Sequence, residues 1–173
     1  MTANHPAPVD AGSAAATGQP DWLQVIGLRL GDERFIVDIH HVREIVRATD
    51  LDITRVPHSH AYVLGVVNLR GKVVPVIDLA RRLGRAAAAA GGHQRRLIVA
   101  EFDDRRVGFT VEAVSEVLRL PAAAITEPDV AEQADYVLGV AMVNGQIMCR
   151  LDLPRLAAGV AAIGGGRGEG GMA

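Results

Sequence analysis

The chain has 173 residues, a net charge of −2 and only one Trp, two Tyr and three Phe. This length suits one medium domain or two small coupled ones, and a slightly acidic chain with so few rings offers no basic, stacking surface for nonspecific nucleic-acid binding. Cys149 is the only cysteine, which excludes an internal disulfide and a cysteine-based zinc cluster.

The two ends of the chain are predicted to lie outside the fold. Residues 1–21 form an Ala-, Gly- and Pro-rich extension whose few apolar side chains cannot offset the entropy of ordering it, so we expect disorder. This extension lacks the basic segment and apolar core of a secretory signal. Residues 159–173 form a Gly-rich tail that we expect to be flexible. No apolar run in the sequence reaches the roughly 18–20 residues that span a bilayer, so we expect a cytoplasmic protein.

Residues 22–84 are predicted to form one small β unit. The runs "LQVIGLRL" and "RFIVDI" are joined by a polar turn, and "VLGVVNL" and "KVVPVIDL" are predicted to form a hairpin that is buried on both faces. Pro75 cannot donate a hydrogen bond to a neighbouring strand, so we expect it at a sheet edge or a bulge. Asp78 is predicted to cap a one-turn helix that ends at Gly84.

The plan of this unit recurs in the second half of the chain. The segment "YVLGVVNLRGKVVPVIDL" (62–79) returns as "YVLGVAMVNGQIMCRLDL" (136–153), and "GDERFIVDIHHVREIV" (31–46) aligns with "DDRRVGFTVEAVSEVL" (103–118). A repeat of this length indicates two copies of one supersecondary unit.

The two copies are predicted to be small closed barrels. They span residues 22–84 and 95–158, and the Ala- and Gly-rich segment 85–94 between them is predicted to be a linker. Many short strands with one-turn helices at the corners favour barrels, because closure removes exposed sheet edges. Barrels of about 65 residues are marginal alone, so we expect a shared core. The repeat leaves open whether terminal strands cross over between the barrels.

Arg70 occupies the tip of the first hairpin, where the second copy has Asn144. A type I′ turn needs positive φ at both central residues, which suits Asn144-Gly145 and not an arginine. A locally unfavourable residue of this kind points to function. The alternative is that the first tip simply adopts another turn type with a solvated arginine.

Residues that would support catalysis are few. Ser13, Ser59 and Ser115 lie outside any nucleophile-elbow sequence, and no phosphate-binding loop of the Gly-Lys-Ser/Thr type occurs. The pairs His40-His41 and His58-x-His60 could in principle meet at a metal, but adjacent histidines on a helical turn diverge by about 100°. We interpret them as polar surface residues and expect no metal, no cofactor and no enzymatic activity.

The combination of segments resembles the CheW family of chemotaxis coupling proteins. The resemblance covers residues 22–158, and its most specific part is "GVVNLRG" followed by "VPVIDL". It implies a mainly β fold of two SH3-like, five-stranded barrels packed on a shared hydrophobic core. It also implies a non-catalytic adaptor that bridges the cytoplasmic tips of methyl-accepting chemoreceptors to the CheW-like regulatory domain of the histidine kinase CheA. Membrane association would then occur only through receptors.

The resemblance also implies a receptor-binding surface on the segment "HVREIV". Apolar groove walls are expected from Ile39, Val42, Ile45 and Val46 on the first copy, with Val111, Val114 and Val117 opposite. Carried over from the family pattern, Gly65, Asn68 and Arg70 belong to the same surface, and Arg70 is expected to pair with Glu44. Among these residues, Val42 and Ile45 are predicted to be partly exposed.

Other functions stay open at this point. A CheW-like coupler could serve a motility system or another non-flagellar chemosensory system. A small-barrel nucleic-acid-binding protein is an alternative of a different class, although the acidic balance and sparse aromatic residues weigh against it.

Overall fold

The computed structural model describes residues 21–86, 94–128 and 134–160. Nearly all of the predicted extension and tail, and most of the predicted linker 85–94, lie outside these ranges. The described chain is mainly β-sheet with two one-turn α-helices, α1 and α2. The strands are β1 Trp22–Leu30, β2 Glu33–Asp38, β3 Val42–Arg47, β4 Val63–Leu69, β5 Lys72–Asp78, β6 Arg96–Phe102, β7 Arg105–Val111, β8 Ala113–Pro121, β9 Ile125–Thr126, β10 Val137–Val143 and β11 Gln146–Leu151; the helices are α1 Leu79–Arg82 and α2 Leu153–Leu156.

The strands form two sheets, and each sheet takes strands from both copies of the repeat. The six-stranded sheet has the order β8-β1-β2-β11-β10-β9, and the five-stranded sheet has the order β3-β6-β7-β5-β4. The first hairpin of each copy, β1–β2 or β6–β7, is therefore inserted into the sheet formed by the rest of the other copy. The repeat boundaries at residues 84 and 95 mark the sequence duplication and do not divide the two sheets.

The two sheets are equivalent strand for strand. Replacing each strand by its repeat counterpart converts one order into the other, except that β9 corresponds to a single bridge between Thr54 and Val66. The six-stranded sheet contains the five predicted strands, β8-β1-β2-β11-β10, and adds the two-residue strand β9 beside β10.

Apolar runs occur in these strands because both of their faces are buried. Leu97 and Val99 point into the five-stranded barrel, whereas Ile98 and Ala100 point into a cluster that lies between the barrels. Val25 and Ile26 alternate in the same way in the six-stranded sheet. The shared core is confirmed, since the central cluster combines buried side chains from both sheets.

The turns and caps follow the local sequence. Asp78 and Asp152 accept hydrogen bonds from the backbone amides of Arg81 and Arg155, at 3.3 and 3.1 Å, and so cap α1 and α2 as predicted. Pro75 lies in the part of β5 that pairs with β4 alone, before β5 joins β7 at Val76, so its missing donor leaves no gap in a ladder.

The ordered core extends farther toward the C-terminus than predicted. Val160 is completely buried in the central cluster, although it lies within the predicted tail 159–173. Gly159 has a φ of +84° just before it. A left-handed glycine after α2 turns the chain back, which allows Val160 to reach the core.

Arg82 joins the two copies on the side of α1 and α2. Its guanidinium carbon lies 5.1 Å from the ring centre of Tyr62 and 5.3 Å from that of Tyr136, which is the repeat counterpart of Tyr62. The Arg82 Nε also donates to the carbonyl oxygen of Leu156 at 3.1 Å. Each of these two cation–π contacts is favourable by about 0.5–1 kcal/mol at an exposed site and by more when it is desolvated. Arg82 therefore stabilises the junction of the two copies.

Candidate protein-binding surface

Strands β3 and β8 are the starting point for the candidate surface. Each is an edge strand of its sheet, and each follows directly after a segment that carries the chain from one sheet to the other, Ile39–His41 before β3 and Glu112 before β8. Both strands therefore run outward from the junction of the barrels. Edge strands present unpaired backbone groups and are natural sites for contact with another chain.

The predicted residues on β3 divide between its two faces. Ile45 lies opposite Ile98 of the central cluster and is 38% exposed, while Val42 packs partly buried against the same cluster. The predicted partial exposure of both side chains is confirmed. Ile39, just before the strand, is also partly buried against that cluster. Val46 differs, because it pairs with Leu97 and packs inside the five-stranded barrel, so its side chain is directed away from this surface.

The second wall is formed by β8. Val117 lies opposite Ile26 of the central cluster and is 55% exposed, and Val114 is partly buried against that cluster. Val111 does not belong to the wall, since it is only 1% exposed at the end of β7 and is a core residue. We name the four outward residues Val42, Ile45, Val114 and Val117 the junction face.

Arg70 and Glu44 meet on the other face of β3, because Glu44 pairs with Val99 and lies, like Val46, on the side of the five-stranded barrel. The Arg70 Nη2 atom lies 3.3 Å from Oε2 of Glu44, with 84% of the arginine side chain and 19% of the glutamate side chain exposed. Glu44 is on β3 and Arg70 follows β4, the two opposite edges of the five-stranded sheet. The pair therefore joins the edges of that barrel. An exposed pair contributes only about 0–1 kcal/mol, so it holds the orientation of the hairpin tip more than it stabilises the fold.

Asn68 supports the turn that carries Arg70. Its Oδ1 accepts a hydrogen bond from the backbone amide of Gly71 at 2.9 Å, while Arg70 and Gly71 have φ values of +52° and +81°. These values match a two-residue turn with both central residues left-handed. The Asn68 side chain therefore compensates for an arginine that disfavours this conformation.

Gly65 is required by packing. It is buried, with a φ of +144°, and a Cβ at this position would lie 2.1 Å from the carbonyl oxygen of Thr54. The backbone of β4 thus approaches the Thr54 segment too closely for any side chain. The structure places Gly65 under the surface and not on it.

Charged residues surround the junction face on the β6 side. Glu101 accepts hydrogen bonds from Arg106 Nε at 2.6 Å and from Arg43 Nη1 at 3.1 Å. The hydrogen bond from Arg106 is the main reason why the pKa of Glu101 lies below its usual value. Glu101 is therefore ionised at neutral pH and holds Arg43, which belongs to β3, along the rim.

The remaining polar candidates have local roles. His41 lies edge-on to Phe102 and His60 stacks on Tyr62, with ring centres 6.1 and 5.0 Å apart. Cys149 is partly buried, and burial together with nearby Glu33 raises the pKa of its thiol. No three side chains of His, Cys, Asp or Glu come together as a metal site within the described part of the chain.

Four apolar residues with large exposure were not singled out from the sequence, and one of them is Val73, which is 53% exposed. Trp22 is 47% exposed at the start of β1, and Met142 and Ile147 face each other across the second hairpin, each 63% exposed. The single tryptophan next to a Pro-rich segment is a sequence signal that could have identified Trp22. Periodicity alone gives no such signal for Met142 and Ile147, because both lie in mostly apolar runs without a regular alternation of polar residues.

Comparison with known proteins gives the family. The family model of the CheW-like domain matches residues 24–161. Chemotaxis protein CheW of Rhizobium meliloti is 40% identical over 133 residues, 75% of this chain and 84% of that protein. Protein FrzA of Myxococcus xanthus is 32% identical over 133 residues, 76% of this chain and 81% of that protein.

Structural comparison agrees with the sequence matches. The crystal structure of the scaffolding protein TtCheW from Thermoanaerobacter tengcongensis has a TM-score of 0.72 and 30% identity, and the match covers 81% of this chain and 94% of that one. Within the described residues, no helix has the length and apolar content to cross a bilayer. With two SH3-like barrels on a shared core and a family match from residue 24 to residue 161, this chain belongs to the CheW-like domain family.

Proposed function

We propose that the chain is a non-catalytic adaptor that couples the cytoplasmic tips of methyl-accepting chemoreceptors to the histidine kinase CheA. The observation that carries the proposal is the junction face, where Ile45 and Val117 are exposed on two equivalent edge strands. An apolar strip between two rigid barrels suits the apolar face of a helix, a common mode of peptide recognition. Family membership supports the same proposal.

The receptor-binding surface in this proposal consists of the junction face and the Arg70–Glu44 pair. Ile39 supports it from below, and Asn68 acts by holding the turn under Arg70. Gly65, Val46 and Val111 act only through the fold. The kinase regulatory domain binds elsewhere on the barrels, and the adaptor lies in the cytoplasm at the inner face of the membrane through its receptors.

Co-sedimentation with receptor-containing membranes tests the proposal. The wild-type chain should sediment with receptors and increase the amount of CheA that sediments. Ile45→Asp and Val117→Asp should each reduce receptor binding at least tenfold, because a buried unpaired carboxylate is costly. Ile147→Asp introduces the same charge at an exposed apolar residue of the β10–β11 hairpin, away from the junction face, and should sediment like the wild type. Unchanged sedimentation of both junction-face variants would contradict the proposed surface.

The second candidate is a coupler in a motility system or another non-flagellar chemosensory system. The similarity to protein FrzA, a relative whose name is not CheW, supports this second candidate. The two candidates share the same surface and differ only in the receptors bound. Parallel sedimentation with the receptors of each chemosensory system in the source organism distinguishes them.

A further inference from the structure

The wall formed by β8 continues outward beyond the junction face. Along β8, Val117, Arg119 and Pro121 alternate with Leu118 and Leu120, which pack inside the six-stranded barrel. The register with β1 places Trp22 opposite Pro121. Because directly paired residues share a face of the sheet, Val117, Arg119 and Trp22 lie on one continuous outer stripe.

Arg119 and Trp22 are in contact on this stripe. The guanidinium carbon of Arg119 lies 5.3 Å from the centre of the Trp22 ring. Both residues are exposed, and none of the salt bridges between described residues involves Arg119. The guanidinium is thus held over the ring, and no acidic side chain among the described residues forms a salt bridge with it.

The equivalent wall on β3 lacks this extension. Ile45 and Arg47 are the repeat counterparts of Val117 and Arg119, but the counterpart of Trp22 is Gln94. The ring is therefore present on one wall only. Trp and Arg are the residue types that most often dominate the binding energy of an interface, and an Arg stacked on a ring has already lost part of its side-chain entropy.

We propose that Trp22 and Arg119 extend the receptor-binding surface and recognise a carboxylate on the docked helix. This inference rests on the proposed function and adds the chemistry of the partner. Arg119 pairs with an Asp or Glu side chain of the receptor helix, and Trp22 covers the apolar residues beside it. The apolar residues of the receptor helix that lie nearer the junction of the barrels contact Val117 and Ile45.

Trp22 is the only tryptophan, so its fluorescence reports on this contact without a label. The full-length chain is titrated with a receptor cytoplasmic fragment that lacks tryptophan, and binding is measured in parallel by calorimetry. Binding should shift the Trp22 emission to shorter wavelength and reduce its quenching by iodide at least twofold. Arg119→Glu and Trp22→Ala should each weaken binding measured by calorimetry about tenfold, the usual loss at an interface anchor.

Arg105→Glu is the matched control, since it makes the same charge change at an exposed arginine, the first residue of β7. It should bind like the wild type. If the fragment binds with neither a change in Trp22 emission nor a loss in Arg119→Glu, the extension is wrong while the proposed function stands. If the kinase regulatory domain changes the Trp22 emission and the receptor fragment does not, the stripe belongs to the kinase and the inference is overturned. Absence of any binding to receptor fragments would overturn both.

Discussion

The hairpins β4–β5 and β10–β11 achieve the same turn with different residues. Arg70-Gly71 and Asn144-Gly145 have nearly equal φ values, +52° and +81° against +50° and +76°. In β10–β11 the turn residue itself favours this conformation, and position 142 carries an exposed methionine. In β4–β5 the turn residue disfavours it, and position 68 carries the asparagine that supports the turn. The first hairpin thus retains a cost in stability in order to keep a guanidinium beside Glu44, which is the behaviour expected at a binding surface.

The largest difference between the hairpins should appear at their glycines. Gly65→Ala would place a Cβ against the backbone of Thr54 at a strained φ, and should destabilise the fold by about 3 kcal/mol or more. In Gly139→Ala the added Cβ would lie 2.4 Å from Cγ2 of Ile125 and 3.0 Å from the carbonyl oxygen of Thr126, but no strained φ is involved, so the loss should be smaller, about 1–2 kcal/mol. Urea unfolding of both variants measures the difference. Equal losses would show that the close approach at Thr54 relaxes freely.

Exchanging the turn residues should separate stability from binding. Arg70→Asn relieves an unfavourable left-handed residue and loses an exposed ion pair, so the free energy of unfolding should rise by about 0.5–1 kcal/mol. Receptor binding by the same variant should fall about tenfold, because the Glu44 pair is lost.

The reciprocal variant is Asn144→Arg. It should lower the free energy of unfolding by about 1 kcal/mol without a change in receptor binding. Thermal unfolding and co-sedimentation measure the two quantities. Wild-type receptor binding by Arg70→Asn would remove the functional explanation of the hairpin difference.

The supporting residue under each turn offers a smaller test. Asn68→Ala removes the hydrogen bond to Gly71 and should cost about 0.5–1.5 kcal/mol. Met142→Ala, at the equivalent exposed position, should change the free energy of unfolding by no more than about 0.5 kcal/mol. A larger loss in Met142→Ala would mean that the exposed methionine already packs in the free protein.

The smallest expected effect is the pH dependence of stability, and it compares Glu33 in the β1–β2 hairpin with Glu101 in the β6–β7 hairpin. Arg85 donates to Glu33 on β2, and this hydrogen bond is the main cause of a pKa below 4.5, the usual value for Glu33. The ionised form is favoured by folding, so its contribution is complete at neutral pH and is lost as the pH falls below about 4.5 toward the lowered value. Because the Arg85 and Glu33 side chains are 39% and 50% exposed, solvent screens the pair and the change should stay below about 1 kcal/mol.

Urea unfolding at pH 7 and at pH 3.5 measures this effect. Glu33→Gln should show a smaller loss of stability between the two pH values than the wild type. Glu101, on the β6 side, also has a lowered pKa, so its acid sensitivity should remain in that variant. An unchanged pH dependence in Glu33→Gln would assign the acid sensitivity to other carboxylates.

Local features of this chain could be predicted from sequence, and the pairing of its strands could not. The caps at Asp78 and Asp152 follow from residue types and the repeat, whereas the meeting of Arg70 with Glu44 is implied only by the resemblance to the family. The insertion of β1–β2 into the other copy's sheet does not follow, because equivalent hairpins have the same apolar pattern and fit either sheet. The sequence does not show the inward direction of Val46 for a related reason. In a strand buried on both faces, only the register shows which face holds a given side chain.

The insertion of each first hairpin into the opposite sheet has a consequence for the origin of the chain. One unit made alone would lack the two strands that pair beside β5 or β11, and its own first hairpin would have no sheet to join. Two identical units could supply these strands to each other and would form a symmetric pair. The present chain has the geometry of such a pair joined end to end, and a cut between residues 86 and 94 should leave two fragments that stay associated and cannot fold when separated.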